Sequence, residues 1–209
     1  MYLSQLNLNP HNRRVQKELA QPYQMHRTLM RSFPDNLETP DDERVLFRVD
    51  IDRRTGGVTV LMQSFLRPTW GWLENSGAVG YLLGSPKTKS FENKLRDGQV
   101  LSFRLRANPT VKRQGKRYGL YKEEQQRDWL DRKAEQDGFK VQSVIVTQQP
   151  KIYSTVHRNG HSHRITMAAV RFDGTMAVRD ADQLWGALQY GIGSGKSMGF
   201  GLLSLGPPR

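Results

Sequence analysis

The chain runs through one order of elements twice, and that repetition leaves few folds open. Val100–Asn108 shows the strand pattern most clearly. Leu101, Phe103, Leu105 and Ala107 fall on one side and Ser102, Arg104, Arg106 and Asn108 on the other, the period of two expected when one face is buried. Beyond it the sequence predicts a helix over Glu123–Gln136, acidic in its first turn and stopped by Gly138, then a strand over 139–148. A hairpin over 164–178 turning at Asp173-Gly174, a helix over Asp180–Tyr190 and a closing strand over Phe200–Leu205 complete the series. The first half reads alike: a strand over 1–9, helix over roughly 12–33 interrupted at Pro22, and a loop over 34–43 rich in Pro, Asp and Glu. A hairpin pairs Val45–Asp52 with Val58–Leu66 around Thr55-Gly56-Gly57, followed by a short helix from Trp70 to about Ser76 and a short strand over Thr88–Phe91. The order β-α-β-β-α-β, run twice, predicts an α+β protein of two ferredoxin-like halves, 1–94 and 98–209, meeting near residues 92–99.

Charge narrows the partner. The formal net charge is +12 over 209 residues with a pI near 10.2, an excess that attracts polyanions, of which nucleic acid is the commonest in the cytoplasm. No basic amphipathic helix stands out, so a membrane surface is not the expected partner. No apolar run approaches the length needed to span a bilayer. The opening Met1-Tyr2-Leu3-Ser4-Gln5-Leu6 alternates like a strand rather than a signal peptide, so a cytoplasmic protein is expected. Cysteine is absent, which excludes disulfides and thiolate chemistry.

Gln21-Pro22-Tyr23-Gln24-Met25-His26-Arg27 carries the candidate chemistry. Proline is tolerated at the first helical position, and residues three and four apart share a face, so Tyr23, His26 and Arg27 can address one spot near a helix N-terminus. Free N–H groups and the helix dipole favour an anion such as phosphate there. A phenol, an imidazole and a guanidinium around a phosphate suit RNA cleavage. The competing reading is a core histidine, because Val15, Leu19, Leu29 and Phe33 form an apolar stripe into which His26 would nearly fall on an unbroken helix. A break at Pro22 re-registers the two halves and moves His26 toward the edge of that stripe.

Residues 191–201 hold five glycines around Lys196. Gly195-Lys196-Ser197 imitates a P-loop, but Tyr190 stands where that motif needs glycine and the segment joins a helix to a strand, not the reverse. No nucleotide cofactor is therefore expected. Five glycines exceed what one turn requires, which favours a binding or docking loop, with Gly193, Gly195, Lys196 and Ser197 as contacts, over a plain turn. Arg104 and Arg106 share a strand face that either tracks phosphates or is merely solvated. Lys112, Arg113, Lys116 and Arg117 make a flexible cationic loop, the usual form of a sequence-blind phosphate contact. Lys151–Arg164 places His157, Arg158, His161 and Arg164 around Asn159-Gly160. His161-x-His163 lacks the carboxylate or cysteine that would complete a metal site, so a basic finger for structured RNA is expected and no metal.

Taken together, the Met1-Tyr2-Leu3-Ser4 strand, the Tyr23…His26 helix, Phe103-Arg104-Leu105-Arg106-Ala107-Asn108-Pro109 and the glycine-rich run from Gly191 to Leu205 resemble the CasE family of CRISPR-repeat endoribonucleases, over nearly the whole chain. The resemblance implies a tandem ferredoxin-like (RAMP) fold and metal-independent cleavage of the repeat hairpin in precursor CRISPR RNA. It implies a 2′-hydroxyl attack giving a 2′,3′-cyclic phosphate and a 5′-hydroxyl, without any cofactor. It further implies retention of the mature guide RNA as a subunit of Cascade, beside the backbone subunit of that complex. His26 and Tyr23 match the family's catalytic pair, with general base and general acid left unassigned between them. Residues 191–201 match the RAMP glycine-rich loop and residues around 157–164 the basic hairpin region; apart from the resemblance, Arg27 and Arg31, one turn apart, could neutralise charge on the phosphate. The alternative class is a non-catalytic RNA-binding RAMP scaffold, which the same fold also serves.

Overall fold

The computed structural model describes residues 1–34, 44–75, 80–158 and 161–208; at 75, 154–158 and 161–165 the description extends to the backbone only. The chain divides into two compact units, one comprising 1–92 with 197–199 and the other 93–196 with 200–209.

In the first unit β1 (Tyr2–Leu8) is followed by α1 (Arg13–Ala20), α2 (Pro22–Met30), β2 (Leu46–Ile51), β3 (Val58–Ser64), α3 (Gly71–Asn75) and β4 (Lys87–Ser90). The strands form one sheet in the order β2-β3-β1-β4, antiparallel throughout. Its register puts Leu6 opposite Val60 and Phe47 opposite Met62, so the apolar positions of all three strands share a face. Val15 of α1 and Met25 and Leu29 of α2 join that same core. Asn12 caps α1, its side chain accepting from the N–H groups of Arg14 and Val15. Helix does stop and restart at Pro22: Gln21 takes φ −130, ψ 80 between the two helices, and Pro22 opens α2.

In the second unit β5 (Val100–Ala107), β6 (Thr110–Arg113), β7 (Lys116–Gly119), α4 (Glu123–Gln136), β8 (Phe139–Arg158), β9 (His161–Val178), α5 (Ala181–Tyr190) and β10 (Leu203–Gly206) follow in turn. The sheet order β10-β5-β9-β8 is the same ferredoxin-like arrangement as in the first unit, with the β6–β7 pair as an addition. Leu101, Phe103, Leu105 and Ala107, the apolar side of β5, line the core with Trp129 and Leu130 of α4 and Leu184 and Leu188 of α5. Asp180 caps α5 through the N–H groups of Asp182 and Gln183.

Two expectations for this unit are corrected. Asp173-Gly174 is not a turn: β9 runs unbroken from His161 to Val178, and β8 extends to Arg158, far past 148. Asp173 is held in the sheet by Arg104 and Arg171, and Gly174 lies opposite Val144 beside a register shift between Val141 and Ser143. A Cβ at 174 would collide with the Ser143 carbonyl oxygen, so glycine serves close strand approach at a bulge instead of a reversal. The basic segment at 112–117 is not a loop. It is a hairpin pairing Lys112 with Arg117 and Arg113 with Lys116, turning through Gln114 (φ 47) and Gly115 (φ 78). Positive φ at both central residues is the geometry that matches strand twist in a two-residue turn.

Candidate functional site

The break at Pro22 decides what α2 shows to solvent. Met25, Thr28 and Leu29 are buried, which turns Tyr23 and Arg27 outward and leaves His26 half-buried at the boundary. The imidazole lies stacked on Phe47 of β2 (centroids 6.2 Å apart, planes 15° apart) and 6.1 Å from the Tyr23 ring. Its Nδ1 is buried and makes no hydrogen bond among the described residues. Burial depresses its pKa below the usual 6.5, so the ring is neutral at neutral pH. A neutral imidazole carries one unprotonated ring nitrogen and is equipped to accept a proton.

His26 and Tyr23 line a cleft of about 610 Å³ together with Arg14, Lys17, Glu18, Gln24, Arg27, Thr28, Met30 and Arg31. Four cations surround one carboxylate, and that carboxylate is already engaged. Glu18, only 4% exposed, accepts from Arg14 Nε (2.8 Å), Thr28 Oγ1 (2.6 Å) and the Tyr81 hydroxyl (2.5 Å). Burial and the Glu18 charge drive the Tyr81 phenol's pKa upward, so it stays a donor at any working pH. Arg31 places its guanidinium 4.2 Å from the centre of the Trp72 indole, whose Nε1 donates to Ser32 Oγ (3.4 Å). The cleft is thus cationic, with a neutral base candidate in its wall.

The structure brings Tyr23, His26, Arg27 and Arg31 to one cleft. Among the described residues, none of the remaining candidates lines it. Arg104 pairs with Asp173, and Arg106 donates to Gln149 Oε1 (2.7 Å) while lying 4.9 Å over the Phe200 ring, so both arginines have partners within their own unit. Lys112, Arg113, Lys116 and Arg117 are all exposed on the β6–β7 hairpin. His157, Arg158, His161 and Arg164 lie on the β8–β9 strands, with their side chains outside the described residues, as are the intervening residues 159–160.

In the glycine-rich segment all five glycines have positive φ. Added Cβ atoms would press on Trp129 at Gly193 (3.0 Å), on Phe200 at Gly195 (2.9 Å) and on the Ile192 carbonyl at Gly201 (3.0 Å). At these three positions the absence of a side chain admits close intrachain packing. Lys196 and Ser197 fall in a short 3-10 turn, Lys196–Met198. Burial raises the pKa of Asp137, against the opposing charges of Lys133 and Lys196.

Arg14, Lys17, Glu18, Thr28, Trp72 and Tyr81 were not singled out from the sequence. Arg14 and Glu18 stand four apart on α1, a readable pair; Trp72 and Tyr81 come from distant segments and leave no local mark.

Comparison with known proteins places these features. A family model described as CRISPR associated protein matches residues 1–207. The CRISPR-associated endoribonuclease Cse3 of Thermus thermophilus is 35% identical over 99% of this chain and all of its own length. The Cascade subunit CasE of Escherichia coli is 35% identical over 88% of this chain and 92% of its own. A solved structure of Cse3 bound to a 19-nucleotide RNA superposes with a TM-score of 0.84 at 34% identity, covering 99% of this chain and all of that one. With a model match along nearly its full length and relatives of this similarity, the chain belongs to the CasE family of CRISPR-associated endoribonucleases.

Proposed function

We propose that this chain is an endoribonuclease that binds the repeat hairpin of precursor CRISPR RNA and cuts it by attack of a 2′-hydroxyl on the adjacent phosphate, leaving a 2′,3′-cyclic phosphate and a 5′-hydroxyl. RNA supplies its own nucleophile, so the protein has only to move protons, align the linkage and stabilise charge. His26 is the general base: neutral and half-buried in the cleft wall, it can take the 2′-hydroxyl proton, a service worth roughly 100- to 10,000-fold. Tyr23, beside it, orients the attacking hydroxyl or donates to a phosphate oxygen. Arg27 and Arg31 offset the charge that builds on the phosphate. The mature guide remains bound and the protein serves as a Cascade subunit, in contact with the backbone subunit. The β6–β7 cations and the β8–β9 finger grip the hairpin, whose A-form shape is recognised more through backbone than base edges.

The observation that carries this reading is the half-buried, neutral imidazole of His26 in the wall of a cationic cleft. The test is His26→Ala assayed on a repeat hairpin. Cleavage is expected to vanish while hairpin affinity stays within a few fold; equal loss of both would make His26 structural. A 2′-deoxy nucleotide at the cut is expected to block the reaction, and activity is expected to persist in EDTA. Cutting of the deoxy substrate, or recovery only with added divalent ions, would remove the mechanism.

A further inference from the structure

Arg14 is built differently from the other cations of the cleft. Lys17, Arg27 and Arg31 are exposed side chains, whereas the Arg14 guanidinium is fixed by its neighbours on several sides. Its Nε donates to Glu18 Oε1 (2.8 Å) and its Nη2 to Thr28 Oγ1 (2.8 Å). Thr28 in turn donates to the same Glu18 oxygen at 2.6 Å, closing a ring of three side chains across the α1–α2 junction. The guanidinium carbon lies 5.4 Å from the Trp72 ring centre and 5.3 Å from that of Tyr81. Tyr81 donates to the second Glu18 oxygen, so the carboxylate that anchors Arg14 is itself pinned.

A guanidinium has five N–H donors, and two are spent on Glu18 and Thr28, which leaves three at the end of the fork. The side chain is 35% exposed and lines the cleft. An arginine whose torsions are already set loses little entropy on binding, and a fork of N–H groups matches two oxygens of one phosphate. Glu18 cancels one charge at the back of the group, but it cannot occupy the donors that face forward. Thr28 and His26 are two residues apart on α2 and so do not face the same way. Arg14, anchored on Thr28, therefore addresses a different point of the cleft from the imidazole.

We propose that Arg14 is a phosphate-binding residue of the cleft, its clamped guanidinium taking a backbone phosphate of the RNA other than the one that is cut. The assignment rests on the proposed RNA-cleaving function. By fixing a neighbouring phosphate, Arg14 sets which linkage reaches His26, so it positions the strand and takes no part in the proton transfers. Trp72 and Tyr81 hold the fork flat, and Trp72, which also carries Arg31, ties the two guanidinium groups to one aromatic surface.

The experiment uses the full chain and a repeat hairpin with a 2′-deoxy nucleotide at the cut. A series of such hairpins carries one neutral methylphosphonate linkage at each position flanking the cut, and affinity is read by fluorescence anisotropy. In the wild type, one linkage outside the cut is expected to cost about tenfold when neutralised. Arg14→Gln is expected to bind the unmodified hairpin about tenfold more weakly and to be indifferent to neutralisation at that one linkage. Arg14→Gln leaves the Glu18 carboxylate without its cation, so the double variant Arg14→Gln, Glu18→Gln is measured alongside, with circular dichroism as the folding control. On the cleavable hairpin, KM is expected to rise more than kcat falls, and Arg14→Lys, which keeps charge but not the fork, to recover only part of the loss. An unchanged linkage profile in both Gln variants, or a loss confined to kcat, overturns the assignment. If the wild type itself does not cut the unmodified hairpin, the proposed function falls first; if it cuts and the profile is unchanged, only the role of Arg14 falls.

Discussion

An imidazole short of one hydrogen-bond partner is a costly thing to keep half-buried, and His26 shows what that cost does to its titration. Desolvation lowers its pKa below 6.5, so in acid the unfolded chain binds a proton that the folded chain resists. Stability is unaffected above pH 6.5 and declines as the pH falls from there toward the folded-state value. Thermal melts of wild type and His26→Gln should therefore converge or cross in the variant's favour as the pH is lowered from about 7.5 to about 5. The same shift governs the proposed catalysis: the acid limb of kcat/KM should have its midpoint below 6.5, because the base stays unprotonated to lower pH than a free imidazole. A midpoint at or above 6.5 would argue against His26 as the base in the free enzyme. The escape of this ring from the apolar stripe was readable from Pro22. Its stacking on Phe47 was not, because that contact joins α2 to a strand whose register no local pattern discloses.

At the level of elements, period and capping together lead to the right structure, and a single dipeptide does not. Both sheets, the helices α4 and α5 and the interruption between α1 and α2 follow from alternation, acidic first turns and a proline. Asp173-Gly174 looked like a reversal because that pair favours tight turns, yet Asp173 is committed to Arg104 and Arg171 and Gly174 admits the neighbouring bulge. Gln114-Gly115 carries little sequence signal of a hairpin turn, because glutamine seldom adopts positive φ. Glycines in two elements should respond to alanine with opposite sign. Gly174→Ala should cost about 2 kcal/mol or more in urea denaturation, since the new methyl meets backbone that cannot swing aside. Gly186→Ala, in α5 with open space around it, should stabilise by about 0.5–1 kcal/mol.

Across the whole molecule, charge is the property most easily read from sequence and the least informative about geometry. A net charge of +12 predicts a polyanion partner, but the cations turn out to have unequal employment. Arg104, Arg106 and Arg171 are occupied within the second sheet, whereas the four cations of the β6–β7 hairpin stand exposed. Affinity for the proposed hairpin ligand should thus fall steeply with salt. Replacing Lys112 and Arg117 by Gln should flatten the plot of log K against log salt by about 0.7 to 0.9 for each phosphate that is no longer neutralised. The same replacement of Arg104 should change that slope less, because Asp173, which it shares with Arg171, offsets part of its charge. Among the described residues no helix is long and apolar enough to cross a membrane. The interruption at Gln21-Pro22 also bears on what aims α2. In an uninterrupted helix the phase of α1 would dictate where every later side chain points, and the imidazole would fall almost within the apolar stripe. With the break in place, the aim of α2 no longer follows from the winding of α1, and the Arg14–Glu18–Thr28 ring sets the two helices against each other instead.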